Sequence, residues 1–207
     1  MATVWTFGDS NTDGFRSIDS WAKTYVNWKG YQPKTYGEII AENLGFELVN
    51  LGKGGSDNYS IFETFCKTVG KIKKNDIIIF GWSSPLRFRV VGDWDKWKSI
   101  LPKMNKNDEL PKNISKKTVD EIMVNRDHHL CSIEVNNWIR FINLAFKDNR
   151  IVHWTAFKCE IDAIYVGVSS ITLETNGEID DGHFSEKGHL ELSEILMTPY
   201  IKNKKLL

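Results

Sequence analysis

Little in this sequence could staple a fold from outside its core. Its three cysteines, Cys66, Cys131 and Cys159, are odd in number and widely spaced, which fits neither a disulfide framework nor a thiolate zinc site. They are expected as reduced core thiols. An excess of one charge is missing too: 27 Lys and Arg balance 27 Asp and Glu, so no net field draws the chain to nucleic acid or to an anionic membrane, and neither is expected as a partner. No apolar run approaches the roughly 20 residues that span a bilayer. Met1 leads straight into Thr3-Val4-Trp5-Thr6-Phe7 with no basic leader, long apolar core or small-residue cleavage site. The expectation is a soluble, cytoplasmic chain without a signal peptide. His128, His129 and His153 have no companions at ligand spacing, so no metal is expected.

What is present reads as one α/β domain over 1–207. Apolar residues at 41% and charged ones at 26% are the balance of an ordinary globular protein, long enough to bury a core unaided. Short β-branched or aromatic runs at 4–7, 76–80 and 151–155, with a fourth at 47–50, read as buried parallel strands. Tyr36, Ile39, Ile40 and Leu44 recur at helical spacing before a capping Gly45, and Ile61, Phe62, Phe65, Val69 and Ile72 do the same. Apolar positions from Val119 to Phe146 predict one long helix or two joined near Asp127-His128-His129. A last helix starts at about Ser185. Strands alternating with helices predict a three-layer α/β/α sandwich on a mostly parallel sheet, with ligands at the carboxyl ends of its strands. The lysine-rich, aperiodic stretch 85–117 is expected to be a loop insertion over one end of the sheet.

Three segments carry chemistry. Phe7-Gly8-Asp9-Ser10-Asn11 follows the first strand, where a serine on a tight turn is presented to solvent with its N–H free. Gly-Asp-Ser is also ordinary turn chemistry. In Asp180-Asp181-Gly182-His183 a carboxylate three residues before a histidine can accept the imidazole Nδ1–H, leaving Nε2 for a serine. The same loop also reads as an acidic turn with Ser185 capping a helix. Between them, Asn50-Leu51-Gly52-Lys53-Gly54-Gly55 lies after a strand and before a helix, where outward N–H groups suit an oxyanion. It lacks both the Walker and the dinucleotide spacings, so no nucleotide cofactor is expected.

Taken together, these segments resemble the blocks of the SGNH/GDSL hydrolase superfamily, over residues 4 to about 196. Gly8-Asp9-Ser10-Asn11 is similar to its nucleophile block, Gly55 to its oxyanion-hole glycine, and Asp180 with His183 to its closing Asp-x-x-His. The resemblance implies a flavodoxin-like sandwich and a serine esterase without metal or cofactor. Ser10 would be the nucleophile, His183 the base and Asp180 its orienter, with Asp181 as a substitute. The N–H groups of Ser10 and Gly55 would form the oxyanion hole. Where the family has an amide-bearing Asn, this chain has Ser83, whose shorter hydroxyl would be the third donor; Arg87 nearby could supply positive charge in place of the amide. Serine in that block is similar to phage-encoded members, which would make the protein a virion component.

The resemblance implies a small acyl ester, an O-acetyl group on carbohydrate above all, as substrate. Asp9, Asn11, Asn58, Trp82 and Arg87 are candidate substrate contacts. Among eight tryptophans, Trp21, Trp28, Trp82, Trp94 and Trp97 are read as loop residues whose faces could stack on sugar. Two rivals stand beside this reading: a non-catalytic glycan-binding or virion structural module, and a thioesterase or lipase for long acyl chains.

Overall fold

The computed structural model describes residues 2–91, 97–100, 115–177, 179 and 181–197. In chain order its strands and helices are β1 (Thr3–Gly8), α1 (Ser10–Asp13), α2 (Ser20–Lys29), α3 (Tyr36–Leu44), β2 (Glu47–Asn50), α4 (Asn58–Thr68) and β3 (Ile77–Trp82). There follow β4 (Phe88–Val91), β5 (Trp97–Ile100), α5 (Lys116–Val124), α6 (His128–Ala145), β6 (Arg150–Thr155), β7 (Ile164–Tyr165), α7 (Ile171–Glu174) and α8 (Glu186–Leu196). The main sheet runs β2-β1-β3-β6-β7 with every pairing parallel.

Parallel neighbours must be joined by crossovers, and the helices that make them cover both faces. Val4, Ile77, Ile79 and Val152 pack against Tyr36 and Ile40 of α3 and Leu192 and Leu196 of α8. Their sequence neighbours Trp5, Phe7, Ile78 and Phe80 point the other way, against Ile61 and Phe65 of α4 and Val135, Ile139 and Ile142 of α6. The period of two along a strand is what divides each apolar run between two cores. The architecture is therefore the expected three-layer α/β/α sandwich. At the amino-terminal foot of the sheet, the buried Asp76 carboxylate accepts from Thr3 N, Trp5 Nε1 and Lys73 N, each at 2.9 Å. At the opposite end Gly8 and Gly81 are register partners. The strand order reverses direction at β1, and the crevice above the ends of β1 and β3 is where an open α/β sheet binds ligands.

Several local expectations change. Trp21 and Trp28 lie on α2, not on a loop. That helix carries its buried side chains at Trp21, Ala22 and Tyr25 and ends on Gly30 in the left-handed region, φ 77°. The pattern from Val119 onward forms two helices, α5 and α6, with Asp127 capping the second by accepting from Leu130 N. Within 85–117, expected as aperiodic loop, β4 and β5 pair as an antiparallel ribbon; Trp97 is on β5, and Trp94 lies outside the described residues. Cys66 is exposed and Cys131 half-buried, not in the core as expected, while the half-buried Cys159 packs against the core on the α4 and α6 side. No helix among the described residues is long and apolar enough to cross a membrane.

Candidate active site

The β1 strand delivers Ser10 to its site. Immediately after it Asp9 takes extended backbone and accepts from Asn11 N at 3.1 Å, starting α1 with Ser10 as its first residue. The need for glycine at position 8 is room rather than a turn: a Cβ there would lie 2.0 Å from Thr12 Oγ1. Gly52 meets the same demand from backbone, since its Cβ would lie 2.4 Å from Asp13 N. The glycine-rich loop is thereby held against α1. Asn50 ties the two, donating to Thr12 O at 2.9 Å while its Oδ1 accepts from Gly52 N at 2.9 Å. Lys53 N donates to Gly8 O and Gly54 N to Asp13 Oδ2. Gly55 follows, exposed and in the left-handed region.

From the other end of the chain, the segment before α8 brings His183 to the same place. His183 Nε2 lies 2.8 Å from Ser10 Oγ. On the far side of the ring Nδ1 is bonded to Asp181 Oδ1, which also accepts from the His183 backbone N–H at 2.8 Å. The imidazole is thus held as the tautomer with its proton on Nδ1 and a free pair toward Ser10. The orienting place was expected for Asp180, which lies outside the described residues. Asp181, two residues before His183, occupies it because the chain between them turns tightly enough for one carboxylate oxygen to reach both the backbone and the ring nitrogen. The contacts that fix this loop include Asn11 Oδ1 accepting from Phe184 N at 3.1 Å, Ile171 N donating to His183 O, Asp181 N donating to Thr172 Oγ1 at 2.9 Å, and Ser185 capping α8 through Gly188 N.

The five candidate substrate contacts all have internal partners. Trp82 is 1% exposed in the core and donates from Nε1 to His153 Nδ1; a sugar cannot reach it. Asn58 is buried and clamps the Ser83 backbone, donating to its carbonyl at 2.9 Å and accepting from its N–H at 2.7 Å. Asn11 and Asp9 fasten the nucleophile segment as described. Arg87 donates from Nη1 to Ser56 O at 2.8 Å and stands 3.6 Å from Asp9 Oδ2, joining the glycine-rich loop to the residue before Ser10. Ser83 itself is fully buried, and its Oγ has no hydrogen-bond partner among the described residues.

What the sequence reading missed is the role of Trp21. Its indole lies flat on the His183 ring, with centroids 3.9 Å apart and planes 6° from parallel. Asp13 was also passed over. Burial raises its carboxyl above the usual range, the Gly54 N–H works against that rise, and Asp19 adds to it. No group of three or more potential metal ligands occurs among the described residues.

One consequence of the clamp can be measured directly. Asn58→Ala leaves a buried N–H and a buried C=O of Ser83 without partners and is expected to destabilise the fold by about 2–4 kcal/mol. A urea unfolding curve checks this; an unchanged midpoint would show that the clamp contributes nothing.

No protein-family model matches the chain, and no curated protein sequence does. Among solved structures, it is similar to a member of the lipolytic protein G-D-S-L family from Veillonella parvula DSM 2008. That similarity is at 12% identity and TM-score 0.49, over 98% of this chain and 100% of the other. It is also similar to a putative lipolytic protein of G-D-S-L family from Desulfitobacterium hafniense DCB-2, at 13% identity and TM-score 0.40, over 94% and 97% of the two chains.

Proposed function

We propose that the protein is a serine ester hydrolase in which Ser10 attacks the acyl carbon, His183 takes and returns the proton, and Asp181 orients the ring. The observation that carries this reading is the 2.8 Å approach of His183 Nε2 to Ser10 Oγ from positions 173 residues apart, with a carboxylate on the opposite ring nitrogen. A structural serine has no need of a histidine so oriented. In the first half-reaction the Oγ–H bond breaks as Oγ bonds the acyl carbon, and the carbonyl pair moves onto its oxygen. The proton on Nε2 then goes to the leaving alkoxide, and water repeats the sequence on the acyl-enzyme. Donors for the oxyanion would be the N–H groups of Ser10, at the start of α1, and Gly55. Arg87 sits beneath both segments and fixes their spacing, while the third donor of the resembling family has no equivalent in the buried Ser83.

For the acyl group we favour acetyl, carried on carbohydrate. The surroundings are polar: Asp13 and Asp19 stand together beside Gly54, and Asp181 beside His183. Such surroundings offer little apolar surface for a long acyl chain to bury against. Trp21 and Trp82 are buried and leave no face for a sugar, while Trp28, 43% exposed, has Lys29 Nζ 5.2 Å over its ring. An organophosphate such as diethyl p-nitrophenyl phosphate should add to Ser10 alone, detected by mass in the peptide that carries it, and p-nitrophenyl acetate should turn over faster than the octanoate. Rates rising with chain length would move the reading to a thioesterase or lipase. The buried Ser83 favours a second reading, a non-catalytic glycan-binding or virion module, and an unlabelled Ser10 would support it.

A further inference from the structure

Trp21 occupies a place that packing alone would fill differently. It is 9% exposed, on the first turn of α2, and its Nε1–H is buried without a hydrogen-bond partner among the described residues. An unsatisfied buried donor is costly, and phenylalanine would fill much of the same space without one. The indole nonetheless lies face to face with His183, at the 3.9 Å centroid separation of full overlap. Its nearest other ring, Phe15, is tilted and 6.4 Å away. An aromatic face carries negative potential and attracts a cation placed over it, most strongly for indole.

We propose that Trp21 is a positioning residue that stabilises the His183 imidazolium formed when Ser10 loses its proton, and that holds the ring edge-on between Ser10 and Asp181. This rests on the Ser10–His183 pair being the reacting pair of the proposed function. The ring is neutral before attack and positive after Oγ–H is broken and Nε2–H is formed, so the stack strengthens as the barrier is climbed. Interactions that grow toward the transition state are the ones that accelerate a reaction. The other groups facing the ring are the Asp181 carboxylate on its own loop and His189 from α8. Burial, with His183 adding to it, brings His189 down to about 3, so it is uncharged near neutrality. Asp9, beyond Ser10, is engaged by Arg87.

The test compares wild type, Trp21→Leu and Trp21→Phe by kcat/KM for p-nitrophenyl acetate from pH 5 to 9, over the range in which circular dichroism shows each protein folded. Trp21→Leu should lower the plateau roughly 10-fold and move the acid-side half-maximum down by about one pH unit, because the cationic ring has lost its support. Trp21→Phe should keep both within about 3-fold and a few tenths of a pH unit. Loss of packing alone would lower the plateau and leave the half-maximum in place, which would overturn the proposal. If Trp21→Leu does not fold, as judged by circular dichroism, a polyfluorinated tryptophan at position 21 weakens the face without changing its shape, and the same displacement is expected. The His183 Cε1–H resonance followed over pH gives the midpoint without turnover. Displaced midpoints in an inactive protein would uphold the stack and remove the enzyme, whereas coincident midpoints in an active one would do the reverse.

Discussion

Ser10→Ala should lower kcat/KM for p-nitrophenyl acetate by roughly 10⁴–10⁶-fold while leaving the fold unchanged, since it removes the only atom that bonds the acyl carbon. His183→Ala should cost about as much, and the double variant no more than either, because a nucleophile without its base and a base without its nucleophile are equally idle. The remaining rate would come from the oxyanion donors and binding. The acid is tested by the same assay. Asp181→Asn should cost roughly 10³–10⁴-fold, as an amide on Nδ1 stabilises the wrong tautomer, and Asp180→Asn much less. The reverse order would return the role to Asp180. Equal rates for wild type and Ser10→Ala would end the enzymatic reading and leave a binding module on the same scaffold.

Acidification should unfold the protein, through two histidines outside the reacting pair. His153 and His189 are buried, and burial brings each down to about 3 from an ordinary value of 6.5. Both accept a hydrogen bond at Nδ1, His153 from Trp82 Nε1 and His189 from Tyr36 N. A proton there would set N–H against N–H. The unfolded chain binds these protons as pH falls below about 6.5 and the native state does not until about 3, so stability present above 6.5 is lost across that window. Each ring removes about 1.4 kcal/mol per pH unit. For a fold at the lower end of the usual 5–15 kcal/mol, the two together should place the acid unfolding midpoint between about pH 4 and pH 5. Urea titrations at a series of pH values give the slope. His189→Gln, which keeps an acceptor for Tyr36 N, should halve it; an unchanged slope would mean that other groups govern acid unfolding.

Much of the fold was legible because the physics behind it is local. The runs at 4–7 and 76–80 are largely apolar at consecutive positions, as a strand buried on both faces requires, and Gly45 stops α3 in the left-handed backbone that a residue with Cβ avoids. The helix α2 was missed because its buried stripe is only Trp21, Ala22 and Tyr25, two of them aromatic residues that read equally well as loop anchors. The internal partners of the candidate substrate contacts were hidden for a related reason. Asn58, Trp82 and Asn11 lie in the right segments, yet a sequence cannot distinguish a polar group that faces a crevice from one satisfied by backbone a few ångströms beneath it.

By itself, then, the chain determined a parallel sheet with helices on both faces, the position of a serine at the end of its first strand, and a histidine with acidic neighbours before its last helix. These follow from periodicity and from residue chemistry within a few positions. Only the tertiary structure decided that Asp181 sits on His183, that Asn58 clamps the buried Ser83 backbone, and that an indole covers the imidazole. Each of those depends on the angle at which a loop leaves its strand or helix, and that angle is set by contacts between residues far apart in the chain.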